Sequence, residues 1–289
     1  MSRALILTYK GEKFGHGHYQ RSMEIAKQFQ ALSIETSIVN FPDVKNIELR
    51  CTKDDIVLVD VPFQIQDLVA NSIEDANFSA LDWISNLRIP TLNFVAHLDS
   101  KYAYSSAKST FSGSEYFIFP KIETNNEYLR SNSKKTLIAL GSHAEFENIN
   151  IACEFAMKLS DSVSLVGYTT SHQILQEKFR LEYLGYVENL PSVMKDFNSA
   201  ITNGGISMMQ SLYLGLQTYS FPQNIQELSF VENFALGKSH VVLLEERNQH
   251  LAIKQKGKIT RDKFRHFFDL KAPARIVNSL IHEHWGRRG

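Results

Sequence analysis

Short runs of branched apolar residues alternate along the chain with longer segments in which apolar residues recur every three or four positions. The runs at 4–9 (Ala-Leu-Ile-Leu-Thr-Tyr) and 55–61 (Asp-Ile-Val-Leu-Val-Asp-Val) are typical of buried parallel strands. The segment after the first run, from Met23 to Leu32, carries its apolar residues on one helical face. Repeated alternation of this kind predicts an α/β protein with parallel sheets and right-handed crossovers.

The same pattern predicts the individual elements. Strands are expected at residues 4–9, 36–41, 55–61, 90–95, 116–119, 136–141, 162–168, 184–187, 199–203, 217–222 and 240–244. Helices are expected from His18, around Leu81 to Leu87, at 150–159, 172–179, 190–197, 207–214 and 225–236, and over most of the tail from Arg261. Residues 100–113, rich in Ser, Lys and Tyr, are expected to form a loop.

A change of composition between Pro120 and Lys135 marks the best candidate for a domain boundary. This stretch is rich in Asn, Ser, Glu and Lys and has almost no apolar periodicity. We therefore predict two Rossmann-like domains, at 1–128 and 129–289, that face each other across a cleft. By analogy with similar folds, the last helix, from about Pro273, would pack back on the N-terminal domain.

Composition narrows the class of function. The 289 residues suit about two domains, and 31 basic residues balance 31 acidic ones, so no overall field favours nucleic acid or an anionic membrane. No apolar run reaches the roughly 18 to 20 residues of a membrane span, and the apolar start is too short for a signal peptide. Cys51 and Cys153 form no C-x-x-C pair, which argues against a zinc site or a disulfide framework. We predict a cytoplasmic protein with no nucleic-acid partner.

The turn between the first strand and the first helix is the first candidate site. Ligands of open α/β sheets bind at the carboxyl ends of strands, where Gly15 and Gly17 would let the backbone approach a ligand. The helix N-terminus suits an anion such as a diphosphate, and His18 beside it could move a proton near neutral pH. Asp60, at the end of the third strand, is expected to face the same crevice. A glycine-rich turn with surface histidines at His16 and His18 explains the same residues.

The second half has three polar turns of its own at strand ends. Residues 203–207 (Asn-Gly-Gly-Ile-Ser) place two glycines and a serine at a helix N-terminus, which suits phosphate oxygens. The amides of residues 223–226 suit neutral hydroxyls and base edges. A tight turn and a helix cap are the alternatives. The candidate binding residues here are Gly141, Ser142, Gly204, Gly205, Ser207, Asn224 and Gln226.

Several of these motifs, in the same order, resemble one enzyme family. Gly15-x-Gly17-His18-x-x-Arg21 resembles the turn of the UDP-sugar hydrolases of pseudaminic acid biosynthesis, which are related to spore-coat polysaccharide biosynthesis proteins. The stretch from 203–207 to 215–218 (Gly-Leu-Gln-Thr) is similar to their Gly-Gly-x-Ser/Thr…Gly-Leu-Pro-Thr block, and 224–226 is similar to the Asn-Gln that follows it. Residues 184–194 resemble a segment shared with the peptidoglycan UDP-N-acetylglucosamine transferase. The resemblance covers nearly the whole chain.

The resemblance implies a GT-B fold and an enzyme that releases UDP from UDP-2,4-diacetamido-2,4,6-trideoxy-β-L-altropyranose or a similar sugar. His18 would be the catalytic base for a water, with Asp60 beside it and Arg21 among the substrate contacts. The nucleotide would bind at the Gly204–Gly205 turn and the helix after it, including Gln210. The resemblance implies no metal and no cofactor. Its implied partners are the nucleotide sugar and other glycan-biosynthesis enzymes.

The sequence departs from the family pattern at three places. Gln210 stands where the family has a Glu that holds the ribose, and it can offer only a neutral acceptor. The family has an aspartate and a tyrosine after the third strand, and this sequence keeps only the aspartate, Asp60. Residues 97–99 read His-Leu-Asp where the family has Asp-Asp. Two alternatives therefore stay open beside the hydrolase: a GT-B glycosyltransferase, and a non-catalytic relative that binds a nucleotide sugar.

Overall fold

The computed structural model shows a chain that divides into two units. One unit comprises Met1–Lys121 with Phe268–Gly289, and the other comprises Ile122–Phe267. The structure describes residues 3–11, 16–41, 51–52, 54–73, 77–95, 107–119, 122, 134–141, 144–167, 169, 171–234, 240–247, 249–255 and 270–286. The division assigns the final helix to the first unit. The sequence prediction counted this helix within 129–289 and expected it to pack back on the N-terminal domain.

The first unit contains a sheet of six strands in the order β2-β1-β3-β4-β5-β6, and all of its neighbouring strands are parallel. Its strands are β1 (Ala4–Thr8), β2 (Thr36–Asn40), β3 (Ile56–Asp60), β4 (Ser79–Leu81), β5 (Leu92–Val95) and β6 (Ser109–Ser112). Its helices are α1 (Gly17–Ala31), α2 (Gln66–Ser72) and α8 (Ala272–His284), with short 3-10 turns at Phe63–Ile65 and Ser114–Tyr116.

Helices cover both faces of this sheet. Ile6 and Leu58 point to one face, where they belong to an apolar cluster with residues of α1 and α8 such as Phe29 and Leu280. Their neighbours along β1 and β3 belong to a second cluster with α2 and Trp83. Because both faces are covered, β1 and β3 are buried along their whole length, as their continuous apolar runs predict.

The second unit contains a sheet of seven strands in the order β13-β12-β11-β10-β7-β8-β9. Its strands are β7 (Lys135–Ala139), β8 (Ser162–Val166), β9 (Glu182–Gly185), β10 (Ser199–Thr202), β11 (Gln217–Ser220), β12 (Val242–Arg247) and β13 (His250–Gln255). Its helices are α3 (Phe146–Leu159), α4 (His172–Phe179), α5 (Leu190–Met194), α6 (Ile206–Tyr213) and α7 (Ile225–Asn233). All pairs are parallel except β12 with β13, so the predicted α/β class is confirmed and the exception is an edge hairpin.

The helix predicted around Leu81 to Leu87 is wrong. Leu81 ends strand β4, where it pairs with Phe94, and the chain then turns through Asp82 with a left-handed φ of 49°. Trp83 is fully buried, and its indole N–H donates to the carbonyls of Ser85 and Arg88. The apolar spacing that suggested a helix therefore comes from a strand followed by a loop with a buried anchor.

Three further differences lie at sheet edges. Ser109–Ser112, within the predicted loop, forms the edge strand β6, and only Phe111 of this strand is partly buried. The strand predicted at 116–119 is instead a 3-10 turn followed by a buried segment without strand pairing. The sequence did not predict the hairpin strand β13, which lies at the edge of the second sheet and whose described side chains are exposed or only partly buried. Residues 97, 99 and 261–269, for which the sequence made predictions, lie outside the described residues.

Candidate functional site

The candidate site of the first unit lies at the carboxyl ends of its strands. Thr8, the last residue of β1, pairs in register with Asp60, the last residue of β3. Helix α1 begins at Gly17, after the segment that follows β1, and places His18 and Arg21 three residues apart on one face. This is the edge at which an open α/β sheet binds its ligands.

Four side chains meet at this edge, and we call them the His18 cluster: His18, Arg21, Asp60 and Asp82. His18 Nδ1 lies 2.8 Å from Asp60 Oδ1. Arg21 donates from Nε to Asp60 Oδ2 at 3.1 Å and from Nη2 to Asp60 Oδ1. Its Nη1 donates to Asp82 Oδ2 at 2.8 Å. One guanidinium therefore joins two carboxylates, and one of these also holds the imidazole.

Burial sets the electrostatics of the cluster. Asp60 is 0% exposed and Arg21 is 3% exposed, while the side chain of His18 keeps 24% of its surface in contact with solvent. Burial alone would raise the pKa of Asp60, but the charge of Arg21 and the contact with His18 outweigh it and hold that pKa below its ordinary value. Burial would likewise lower the pKa of Arg21, and Asp60 and Asp82 instead raise it. The carboxylate under the imidazole is therefore ionised at neutral pH.

The loop after β4 fixes Asp82 in its unusual conformation. Gln66 of α2 donates from Nε2 to the carbonyl of Asp82 at 3.0 Å, and its Oε1 accepts from the backbone N–H of Ile84 at 2.8 Å. The Asn93 side chain brackets Trp83, accepting from its N–H at 3.0 Å and donating to its carbonyl at 2.8 Å. A left-handed φ at a non-glycine residue persists only where such contacts over-determine it.

The geometry suits His18 to act as a general base. Nδ1 faces the cluster, and among the residues that the structure describes none hydrogen-bonds Nε2. When Nδ1 carries the proton and donates to Asp60, Nε2 keeps its lone pair on the edge of the ring away from Asp60. A base of this kind could take a proton from a water or hydroxyl group.

Sequence reasoning singled out three members of the cluster and missed the fourth. Gly15 lies outside the described residues, and Gly17 is the first residue of α1. Arg21, expected among the substrate contacts, directs its guanidinium to the two carboxylates. Asp82 was missed because its segment was assigned to a helix. Its position directly after a strand, like that of Asp60, is the signal that could have found it.

In the second unit, two strand-to-helix turns are joined by the carboxylate of Glu227. Its Oε1 accepts from Asn203 Nδ2 at 2.8 Å, after β10, and its Oε2 accepts from the Gln223 N–H at 2.7 Å, after β11. Asn224 caps α7 through Oδ1, which accepts from the Glu227 N–H at 2.9 Å. The side chain of Asn224 therefore acts as a helix cap, which is the alternative interpretation of this residue given above. Sequence reasoning passed over Glu227.

In the turn before α6, Gly204 is tightly packed, and the side-chain oxygen of Asn203 accepts no hydrogen bond from the described residues. A Cβ at Gly204 would lie 2.5 Å from the carbonyl oxygen of Glu227, so only glycine fits there. Asn203 is 9% exposed, and its Oδ1 has no partner among the described residues. That oxygen would lie 3.4 Å from a Cβ at Gly205, on the side of the first turn of α6. The first N–H groups of a helix lack intrahelical partners, so this turn offers both donors and an acceptor.

The remaining candidates of the second unit are distributed over the same edge of its sheet. Strands β7, β10 and β11 are neighbours, so the turns that follow them lie side by side. Gly141 follows β7 with a left-handed φ of 87°, and Ser142 lies outside the described residues. Ser207 and Gln226 are partly exposed in the first turns of their helices. Gln210 is 2% exposed, inside the unit.

Within the described ranges, no group of three or more His, Cys, Asp or Glu side chains could hold a metal ion. Nor does that part of the chain contain a helix with the length and apolar character needed to cross a bilayer.

Comparison with known proteins identifies the fold. No protein-family model matches the sequence, and no curated protein matches it either. Among solved structures, the chain is similar to a glycosyltransferase from Rickettsia africae ESF-5, with a TM-score of 0.59, 11% identity and 98% of each chain covered. It is similar to Acinetobacter baumannii MurG, with a TM-score of 0.55, 12% identity, and 96% of this chain and 99% of that chain covered. It is also similar to Arabidopsis thaliana UGT89C1 in complex with UDP, with a TM-score of 0.54, 8% identity, and 98% and 95% covered. The chain therefore has the GT-B fold, as its motifs predicted.

Proposed function

We propose that this protein is an enzyme that acts on a nucleotide-diphosphate sugar, and that it hydrolyses a UDP-activated deoxy amino sugar of the kind used in surface-glycan or nonulosonic acid biosynthesis. One observation carries the catalytic part of the proposal: His18 Nδ1 lies 2.8 Å from an ionised, fully buried Asp60. The likeness to structures of the same fold in complex with UDP and with thymidine diphosphate supports a nucleotide diphosphate as the leaving group, and the choice of UDP follows the motif resemblance.

In this mechanism, the first unit moves the proton. Nε2 of His18 takes a proton from a water, whose oxygen attacks the anomeric carbon of the sugar. The bond between that carbon and the diphosphate oxygen breaks, its electron pair leaves with UDP, and the free sugar is released. Asp60 stabilises the imidazolium that forms, because its negative charge lies against Nδ1. General-base assistance of this kind is worth about 100- to 10,000-fold in rate.

The second unit binds the nucleotide. The N–H groups in the first turn of α6 receive the diphosphate, since a helix N-terminus favours anions. Asn203 Oδ1 is an acceptor, so it suits a hydroxyl or amide N–H of the ligand and disfavours a phosphate oxygen. The orientation of this amide is fixed, because its nitrogen donates to a carboxylate that can only accept.

Transfer to an acceptor is the second candidate. The likeness to a glycosyltransferase structure over 98% of the chain favours it. The same base would then take its proton from an acceptor hydroxyl, whose oxygen attacks the anomeric carbon in place of water. The two reactions differ only in the nucleophile, and the His18 cluster serves both.

The test is a panel of UDP-, GDP- and CMP-sugars incubated with the protein, with and without acceptor alcohols, with nucleotide release followed by chromatography. The hydrolase proposal predicts release of UDP without an acceptor, and the transferase alternative predicts release only with one. His250→Asn changes a histidine whose side chain is 66% exposed, on β13, and should leave release unchanged. Binding of a nucleotide sugar without any release would contradict both enzyme proposals and favour a non-catalytic binding protein.

A further inference from the structure

His18 Nδ1 lies between two groups that make opposite demands on it. Asp60 Oδ1, an acceptor, is 2.8 Å away, and Arg21 Nη2, a donor, is 2.9 Å away. A neutral imidazole nitrogen either carries a proton or offers a lone pair, so Nδ1 can satisfy only one of these partners. The two possibilities are the two tautomers of His18.

The two tautomers differ in chemical capacity. When Nδ1 donates to Asp60, Nε2 holds a lone pair and can accept a proton from a nucleophile. When Nδ1 accepts from Arg21, the proton lies on Nε2, which then can only donate. The position of the Arg21 guanidinium relative to Asp60 therefore decides whether His18 can be a base.

Asp82 fixes that position. Its Oδ2 accepts from Arg21 Nη1 at 2.8 Å, while Nε and Nη2 are directed at the two oxygens of Asp60. All three nitrogens of the buried guanidinium are thereby held, and Asp60 stays ionised. A charged carboxylate is a stronger hydrogen-bond acceptor than a neutral imidazole, so a guanidinium held in this way leaves Asp60 to take the Nδ1 proton.

We propose that Asp82, acting through Arg21, is a positioning residue that keeps the proton of His18 on Nδ1 and so leaves Nε2 as the base. The catalytic consequence rests on the function proposed above, whereas the tautomer itself does not. Nη2 already lies 2.9 Å from His18 Nδ1, so without the Asp82 carboxylate to hold Nη1 the guanidinium can turn away from Asp60 and donate from Nη2 to Nδ1 instead. The proton then moves to Nε2.

The fold gives Asp82 a conformation that suits this role. Its left-handed backbone is held by Gln66, and Asn and Asp tolerate this region better than other non-glycine residues. Asp82→Asn therefore keeps the backbone and a weak acceptor, and Asp82→Ala removes the acceptor. Asp55 provides a matched control. It is a 4% exposed aspartate of the same unit whose Oδ2 accepts from Arg3 Nε at 3.4 Å, and it has no part in the His18 cluster.

The experiment is two-bond 1H–15N correlation NMR on the full chain labelled with 15N-histidine, at about pH 8.5, where an ordinary histidine is neutral. The chain has 10 histidines, and the signal missing from His18→Asn identifies His18. We expect mainly the Nδ1–H tautomer in the wild type and in Asp55→Ala. Loss of a charge-assisted hydrogen bond should shift the tautomer ratio about tenfold toward Nε2–H in Asp82→Ala, and by less in Asp82→Asn.

The outcomes separate the two proposals. An Nε2–H tautomer in the wild type, or an unchanged ratio in Asp82→Ala, would overturn the positioning role whatever the enzyme does. Should Asp82→Ala fail to fold, Asp82→Asn decides, and an unchanged ratio there has the same meaning. If no nucleotide sugar is turned over but the tautomer shifts as expected, the proposed function fails and the positioning role stands. With an active enzyme, kcat of Asp82→Ala should fall in proportion to the fraction of the Nδ1–H tautomer, about twofold if the ratio changes from about 10:1 to about 1:1, with KM unchanged.

Discussion

Asp60→Asn removes the charge that Arg21 and His18 both contact, without changing the shape of the side chain. Asp60 is 0% exposed, and its oxygens accept from Arg21 at two positions, one of them at 3.1 Å. Breaking a buried ion pair on one side typically costs about 3 to 5 kcal/mol of unfolding free energy. Since Asp82 still pairs with the guanidinium, we expect about 3 kcal/mol, at the lower end of this range.

The pH dependence of this loss follows from the lowered pKa of Asp60. A carboxylate whose pKa is lower in the folded state than in the unfolded chain stabilises the fold fully above its unfolded value of about 4. That stabilisation is lost as the pH falls through the folded value. Asp60→Asn should therefore be clearly less stable than the wild type at pH 7, and the difference should shrink below about pH 4.

Urea unfolding followed by tryptophan fluorescence measures this effect in the first unit. The chain has two tryptophans, Trp83 and Trp285, and both belong to that unit. Glu24→Gln is the control, because Glu24 of α1 pairs with Lys27, whose side chain is 56% exposed, and a helical pair three residues apart contributes only about 0.2 to 0.5 kcal/mol. A loss no larger than that of Glu24→Gln, or a loss independent of pH, would refute the claim that Asp60 is the ionised centre of the cluster.

Three further predictions concern other parts of the fold. Gly204→Ala should destabilise the second unit by about 1 to 3 kcal/mol, measured by thermal unfolding, because its Cβ would meet the carbonyl oxygen of Glu227 at 2.5 Å; an unaffected midpoint would contradict that packing. Leu280→Ala should cost about 2 to 5 kcal/mol in urea unfolding, since this side chain of α8 is fully buried against the first unit, and a cost below 1 kcal/mol would show that α8 is dispensable. Gln210→Glu puts a carboxylate at a 2% exposed position, so calorimetry should show an unfolding temperature further below that of the wild type at pH 8 than at pH 5; an equal difference at both pH values would indicate an exposed side chain.

The strands that the sequence predicted well are those that are buried on both faces of the sheet. β1 and β3 are covered on both faces, so their apolar runs are continuous and their bounds lie within one residue of the prediction. β6 and β13 are edge strands whose described side chains are exposed or only partly buried, and neither has an apolar run as long as those of β1 and β3. Around Leu81, the spacing of apolar residues imitated a helix because a strand and a loop anchored by Trp83 follow each other directly.

The candidate site was predictable only as far as strand ends can be located. Asp60 was found because it ends a strongly apolar strand, and His18 because it begins the helix that follows another such strand. The ion pair of Arg21 with Asp82 spans 61 residues of sequence, and the contact of Asn203 with Glu227 spans 24. Such contacts depend on the order and register of the strands, which the residue pattern alone does not specify.

Turnover by His18→Asn tests the central claim most directly. Asn keeps a polar side chain at the start of α1 but cannot take a proton. Measured with the best substrate of the nucleotide-sugar panel, kcat should fall about 100- to 10,000-fold while the affinity for the nucleotide stays within a few-fold of the wild type. A variant that keeps near-normal kcat would show that His18 is only a residue of the turn, and the proposed proton transfer would fail with it.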